Sequence, residues 1–159
     1  MPYLSASEVV FHEEAQYRVR TFTFGGGKRS TECHSGCACN AQIWHKTGVW
    51  QSAEYSTFSI SDEASKYRLS VSGYSGDAGD AMRATIHIDA KADTRKFSTP
   101  DQDNDNNAQQ HCARNGKGGW WYGWYSYSRL NSDNMGQWRL SGATPADVPF
   151  ARMMVRVKY

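Results

Sequence analysis

The chain has 159 residues, the size of one domain with a core of its own, and its formal charge of +2 rests on Lys and Arg residues scattered along its length. A charge so small and dispersed excludes the basic face that a nucleic-acid partner requires, and no apolar run approaches the roughly 18 residues of a membrane span. Six Trp, nine Tyr and six Phe supply much of the apolar surface, so the core is expected to form around rings rather than aliphatic layers.

The opening Met1-Pro2-Tyr3 has neither the charged start nor the apolar stretch of a secretory signal. A secreted protein would therefore show here a mature or later start. Residues 17–24 alternate apolar and polar before Gly25-Gly26-Gly27, the pattern of a half-buried strand that runs into a flexible turn. A phosphate-binding loop is excluded there, because Phe22 stands where Gly is needed and Arg29 where Ser or Thr is needed.

Cys33, Cys37 and Cys39 follow, with His34 and His45 close by and Cys112 far along the chain. This segment admits a disulfide-stapled loop or a zinc knot. The spacing Cys-x3-Cys-x-Cys favours the disulfide, since it is not a usual structural zinc pattern. Residues 55–60 and 67–71 alternate on either side of Ser61-Asp62-Glu63, which predicts two antiparallel neighbours joined by a turn. Residues 78–82 read as one helical turn, 85–88 as a short strand or edge, and 150–157 as a final strand. Between them, residues 99–144 look loop-like, and a loop of that length in a compact domain is expected to be ordered by a function or a ligand.

Within that loop, Asp101, Asp103 and Asp105 place three carboxylates at alternate positions, interleaved with Gln102, Asn104, Asn106 and Asn107. Carboxylates so close repel one another unless a cation lies among them, and a donor set of oxygens and amides selects a hard cation, calcium above transition metals. An EF-hand is excluded, because Asn106 stands at its glycine position and Cys112 at its bidentate glutamate position. A solvated Asx turn uses the same residues, and the spacing alone leaves the two readings level.

No nucleophile elbow, Cys/His pair or close carboxylate pair stands in a catalytic context, and His12, His34, His45, His87 and His111 are scattered. An enzyme is not expected. Trp120, Trp121, Tyr122, Trp124, Tyr125 and Tyr127 crowd eight positions, and rings with polar tips suit sugar recognition as well as core packing.

Lys66-Tyr67-Arg68-Leu69, Gly73-Tyr74-Ser75-Gly76, Lys96-Phe97-Ser98-Thr99, Asp101-Gln102-Asp103-Asn104-Asp105, Cys112-Ala113, Gly119-Trp120-Trp121-Tyr122 and Leu130-Asn131 together form a specific signature. Over residues 55–131, about half of the chain, the sequence resembles the fibrinogen-related domains, nearest in motif to ficolins and tachylectins and related to tenascins and angiopoietins. The resemblance implies an α+β fold, a central twisted antiparallel sheet with short helices and a long loop-rich calcium- and ligand-binding region. It implies a single domain over residues 1–159, lacking most of the family's N-terminal subdomain. It also implies calcium held by the side chains of Asp103 and Asp105 and the main-chain carbonyls of Asn107 and Gln109, with an affinity of about 10⁻⁴ to 10⁻³ M, as in extracellular modules.

By the same resemblance, ligand is expected beside His111, Cys112, Trp124, Tyr125, Ser126, Tyr127 and Trp138, with Trp120 and Trp121 in the core. The sequence departs from the family where Tyr125 and Ser126 replace a cysteine and a histidine, so the disulfide that Cys112 would make there is absent, and where Gly116 replaces a pocket tyrosine. The implied function is an extracellular, secreted lectin-like domain for acetylated or acidic glycans on cell or microbial surfaces, plausibly in innate recognition. An extracellular protein-interaction or matrix module of the angiopoietin and tenascin kind, with a protein receptor, is the alternative. Relatives gain avidity by oligomerising through collagen-like or coiled segments, of which this sequence holds none.

Overall fold

Alternation of inward and outward side chains builds the frame of the molecule, a five-stranded antiparallel sheet in the order β1-β7-β2-β3-β4. Its strands are β1 (Glu8–Val9), β2 (Cys37–Trp44), β3 (Trp50–Ile60), β4 (Leu69–Gly76) and β7 (Phe150–Val157), and a separate hairpin pairs β5 (Gly136–Arg139) with β6 (Pro145–Val148). The structure is a computed structural model and describes residues 8–9, 37–44, 48–85, 87–132, 136–139 and 145–157. The strand expected at residues 17–24 lies outside them.

The turn between β3 and β4 forms where Ser61-Asp62-Glu63 predicted it. The Asp62 side chain accepts from the Ser65 amide at 2.9 Å, the Ser61 hydroxyl accepts from the Arg68 amide at 2.7 Å, and Lys66 and Tyr67 take left-handed φ angles of 59° and 51°. β3 and β4 then pair antiparallel from Ile60↔Leu69 to Ala53↔Gly76. β7 occupies the expected residues and turns Ala151, Met153 and Val155 inward.

β2 is a strand that composition does not announce. Its residues Cys-Ala-Cys-Asn-Ala-Gln-Ile-Trp have weak strand preference, but β3 and β7 pair with it on both edges, and alternate side chains Cys37, Cys39, Ala41 and Ile43 fill the core. Cys37 is disulfide-bonded, as one of the two readings of this segment required. Cys39 keeps a thiol inside the core, where burial pushes its pKa up to about 12 and leaves it neutral and unreactive. Cys33, His34 and His45 lie outside the described residues. Cys39 is expected to resist alkylation by iodoacetamide at pH 8 in the folded protein and to react once denaturant is added, which peptide mass spectrometry reads directly.

Two further expectations are corrected. The strand or edge expected at residues 85–88 is not formed by Thr85, His87 or Ile88: the carbonyl of Ala84, itself at φ 40°, accepts from the His87 amide, and a 3-10 turn follows at Ile88–Ala90. Residues 99–144 are not wholly irregular, since they hold a π-helical turn at Ala113–Lys117 as well as β5. Among the described residues no α-helix occurs, so the fold is a central antiparallel sheet with few helical turns.

The loops that cover the sheet bring rings to it. Trp121 packs edge-on against Phe58 of β3, against Phe97 and against Trp120, with centroids 6.4, 5.1 and 5.3 Å away, while its indole N–H donates to the Tyr67 carbonyl at 2.8 Å. Trp138 is fully buried and donates to the carbonyls of Ala78 at 2.9 Å and Gly79 at 3.2 Å. Large apolar bodies are thereby removed from water while these two polar tips stay satisfied.

Candidate metal and ligand site

A short antiparallel bridge between Ser98 and Trp120 anchors the acidic loop to the ring-filled core, with reciprocal amide bonds of 3.0 and 3.1 Å. Thr99 and Gln102 then exchange main-chain bonds around Pro100-Asp101, and the Thr99 side chain holds the fully exposed Asp101 carboxyl below its usual range. Asp101 is thus engaged with this turn. Asn104 ties the next step down, its amide donating to the buried Ser98 hydroxyl at 3.0 Å and its side chain to the Phe97 carbonyl at 2.7 Å.

From Asp103 onward the chain winds through successive Asx turns. Asp103 accepts from the Asp105 amide, Asp105 from the Asn107 amide and Asn107 from the Gln109 amide, at 3.1, 2.8 and 3.1 Å. The second oxygen of Asp105 accepts from the Cys112 amide at 2.8 Å, which folds the end of the loop back onto its middle.

This winding gathers one donor atom each of Asp103, Asp105 and His111 within 4.8 Å of one another. His111 Nδ1 lies 3.9 Å from Asp103 and accepts from the Arg114 amide at 3.3 Å, while its buried Nε2 has no hydrogen-bond partner. Among the described residues, no Lys or Arg comes within ion-pair distance of either carboxylate. Two converging carboxylates without a Lys or Arg partner, in a loop of main-chain and amide oxygens, fit the donor chemistry of calcium, and each carboxylate oxygen keeps a lone pair beyond its amide bond. Asn107 and Gln109 sit on the same loop, and the Asn107 carbonyl accepts only a long bond of 3.3 Å from Gln110. His111, expected at the ligand surface, joins the carboxylates instead, a convergence that the linear spacing does not reveal.

The aromatic segment divides in two. Trp120, Trp121 and Tyr122 are fully buried, whereas Trp124 is 45% exposed and Tyr125 and Tyr127 are half-buried with centroids 5.2 Å apart. The bond that Tyr125 shares with Tyr127 raises its phenol pKa. Arg139 lies 4.6 Å over the Tyr127 ring and His87 meets that ring edge-on at 5.2 Å, two neighbours that sequence reasoning missed because each comes from a distant segment. Cys112, Ser126 and Trp138, named from sequence as ligand contacts, are buried and offer no side-chain surface to a ligand. Trp138 in particular serves the core, since its ring is enclosed and its N–H is taken by two carbonyls.

Loop and rings are directly joined. The Asn106 amide donates to the Gly123 carbonyl at 3.1 Å, and the Trp124 carbonyl accepts from the Asn107 side chain at 3.2 Å and from the Cys112 thiol at 3.3 Å. Gly123 permits a close approach on the other side, because a Cβ there would lie 2.2 Å from the Asp89 carbonyl that receives the Trp124 amide.

A family model for the C-terminal globular domain of fibrinogen beta and gamma chains matches residues 12–145. Fibrinogen-like protein 1 of Rattus norvegicus is 41% identical over 83 residues, 50% of this chain and 26% of that protein. A techylectin-like protein of Phoneutria nigriventer is 44% identical over 79 residues, 50% of this chain and 32% of that protein. Each match therefore spans a third or less of the curated relative. The solved fibrinogen-like globe domain of human ANGPTL2 superposes with a TM-score of 0.64 at 26% identity, covering 78% of this chain and 59% of that one.

Proposed function

Since the chain belongs to the family of C-terminal globular domains of fibrinogen beta and gamma chains, we propose that it is an extracellular, calcium-binding, lectin-like recognition domain for acetylated or acidic glycans. The observation that carries this reading is the set of three bonds from the acidic loop to Gly123 and Trp124. Calcium among Asp103 and Asp105, with the carbonyls of Asn107 and Gln109, would remove the carboxylate repulsion and stiffen the loop, and the exposed face of Trp124 with Tyr125 and Tyr127 would be held in one arrangement. That face suits a sugar, whose C–H groups lie on rings while phenol hydroxyls fix its orientation. The disulfide at Cys37 accords with an oxidising, extracellular setting.

A glycan array probed with the protein in millimolar calcium and again in chelator tests the proposal. Binding to acetylated or acidic glycans that weakens in chelator is expected, and absence of binding in both conditions contradicts it. A protein partner is the second reading, favoured by the 63% exposed Ile88 beside the segment that carries Trp124. Native secretions are the source to screen, and the protein reading requires that a captured receptor be lost from Trp124→Ala while the array stays blank.

A further inference from the structure

We infer that the cleft lined by the basic residues Arg68, Arg95 and Lys96 and by the Asp and Asn residues 103–107 binds the anionic group of an acidic saccharide through its cations. The cleft has a volume of about 610 Å³, within the usual range for a small-molecule site, and Ala108 is its one aliphatic lining residue. A surface so polar suits a ligand of hydroxyls and charges and gives no pocket for an apolar side chain of a peptide.

The basic wall is built rather than incidental. Arg68 and Arg95 are each oriented by one main-chain carbonyl, of Thr94 at 2.8 Å and Ile88 at 2.9 Å, and among the described residues none of the three cations has a carboxylate within ion-pair distance. Arg95 Nε is buried without a partner. Thr94, which also lines the cleft, is a β-branched residue at φ 66°, and it is held there by the pairing of its amide with the Leu69 carbonyl at 2.8 Å and of the Leu69 amide with the Arg95 carbonyl at 3.0 Å. The cations thus stand beside a strained backbone and share the cleft with Asp103 and Asp105 without pairing with them, so their charge is available to an incoming anion. A carboxylate or sulfate would accept from the guanidinium of Arg68 and the ammonium of Lys96, while sugar hydroxyls would donate to the side-chain oxygens of the neighbouring Asn residues.

This assignment rests on the recognition reading above and locates one of its ligand classes. Fluorescence polarisation of labelled saccharides of equal length tests it, using a heparin fragment with sulfates and carboxylates, a hyaluronan fragment with carboxylates alone, and neutral dextran. Binding of one or both acidic probes but not dextran is expected. The double variant Arg68→Gln/Lys96→Gln should lose about tenfold or more in affinity, from two charge-assisted bonds. The control Arg83→Gln/Lys91→Gln, which alters cations outside the cleft, should bind as the parent does. Equal binding by the double variant and the parent overturns the cleft assignment, as does binding of acetylated neutral sugars alone, an outcome that leaves the recognition reading standing. Acidic-probe binding that ignores chelator but falls in the double variant supports the cleft and counts against the calcium reading instead.

Discussion

Replacement of Asp105 by alanine is expected to abolish calcium uptake and, even in chelator, to destabilise the fold by about 2–3 kcal/mol. The two effects have different origins. The proposed calcium site loses one of its two carboxylates, while two main-chain amides, of Asn107 and Cys112, lose a charged acceptor at 2.8 Å each. Asp103→Ala separates them: Asp103 is exposed and accepts one amide at 3.1 Å, so this variant should lose calcium yet change stability in chelator by less than about 1 kcal/mol. Calorimetric titration with calcium and denaturant unfolding in chelator measure the two quantities independently. If Asp103→Ala and Asp105→Ala destabilise equally in chelator, the assignment of Asp105 as the organiser of the loop is wrong.

Trp138→Ala is expected to be the most destabilising single change, at about 3–5 kcal/mol, because it empties a ring-sized volume in a close-packed core. Trp138→Phe restores much of that volume but leaves the carbonyls of Ala78 and Gly79 without their donor, for a loss of about 1–3 kcal/mol. The consequences reach the aromatic surface. β5 carries Trp138, and its neighbours bond to the ring-bearing segment, the Arg139 amide to the Tyr127 carbonyl at 2.8 Å and the Gln137 amide to the Arg129 carbonyl. Urea unfolding followed by near-ultraviolet circular dichroism should show both variants unfolding earlier, with Trp138→Ala well below Trp138→Phe. Similar midpoints for parent and Trp138→Ala would refute a core role.

What was legible in the sequence depended on whether local pattern and tertiary demand agreed. β7 was read with its observed bounds because Ala151, Met153 and Val155 alternate with outward residues, and the turn before β4 was read because Asp and Ser side chains cap their own backbone. β2 escaped because its strand character comes from pairing on both edges, and its cysteines drew the reading toward a loop. The acidic loop was legible as a repulsion that needs an answer. Which groups gather there was not, since His111 reaches Asp103 only after the Asp105 carboxylate folds the chain back onto the Cys112 amide. Trp138 was misplaced for the converse reason, a lone ring among polar neighbours whose burial is decided by carbonyls some sixty positions away.

Stiffening of the exposed rings by calcium held at Asp103 and Asp105 is most directly tested by amide hydrogen exchange across residues 121–128, in calcium at about 5 mM, several-fold above the affinity expected of an extracellular module, and in chelator. Slower exchange of this segment with calcium in the parent protein, and no difference in Asp103→Ala/Asp105→Ala, is the predicted result. Identical exchange of the parent in the two solutions would contradict it.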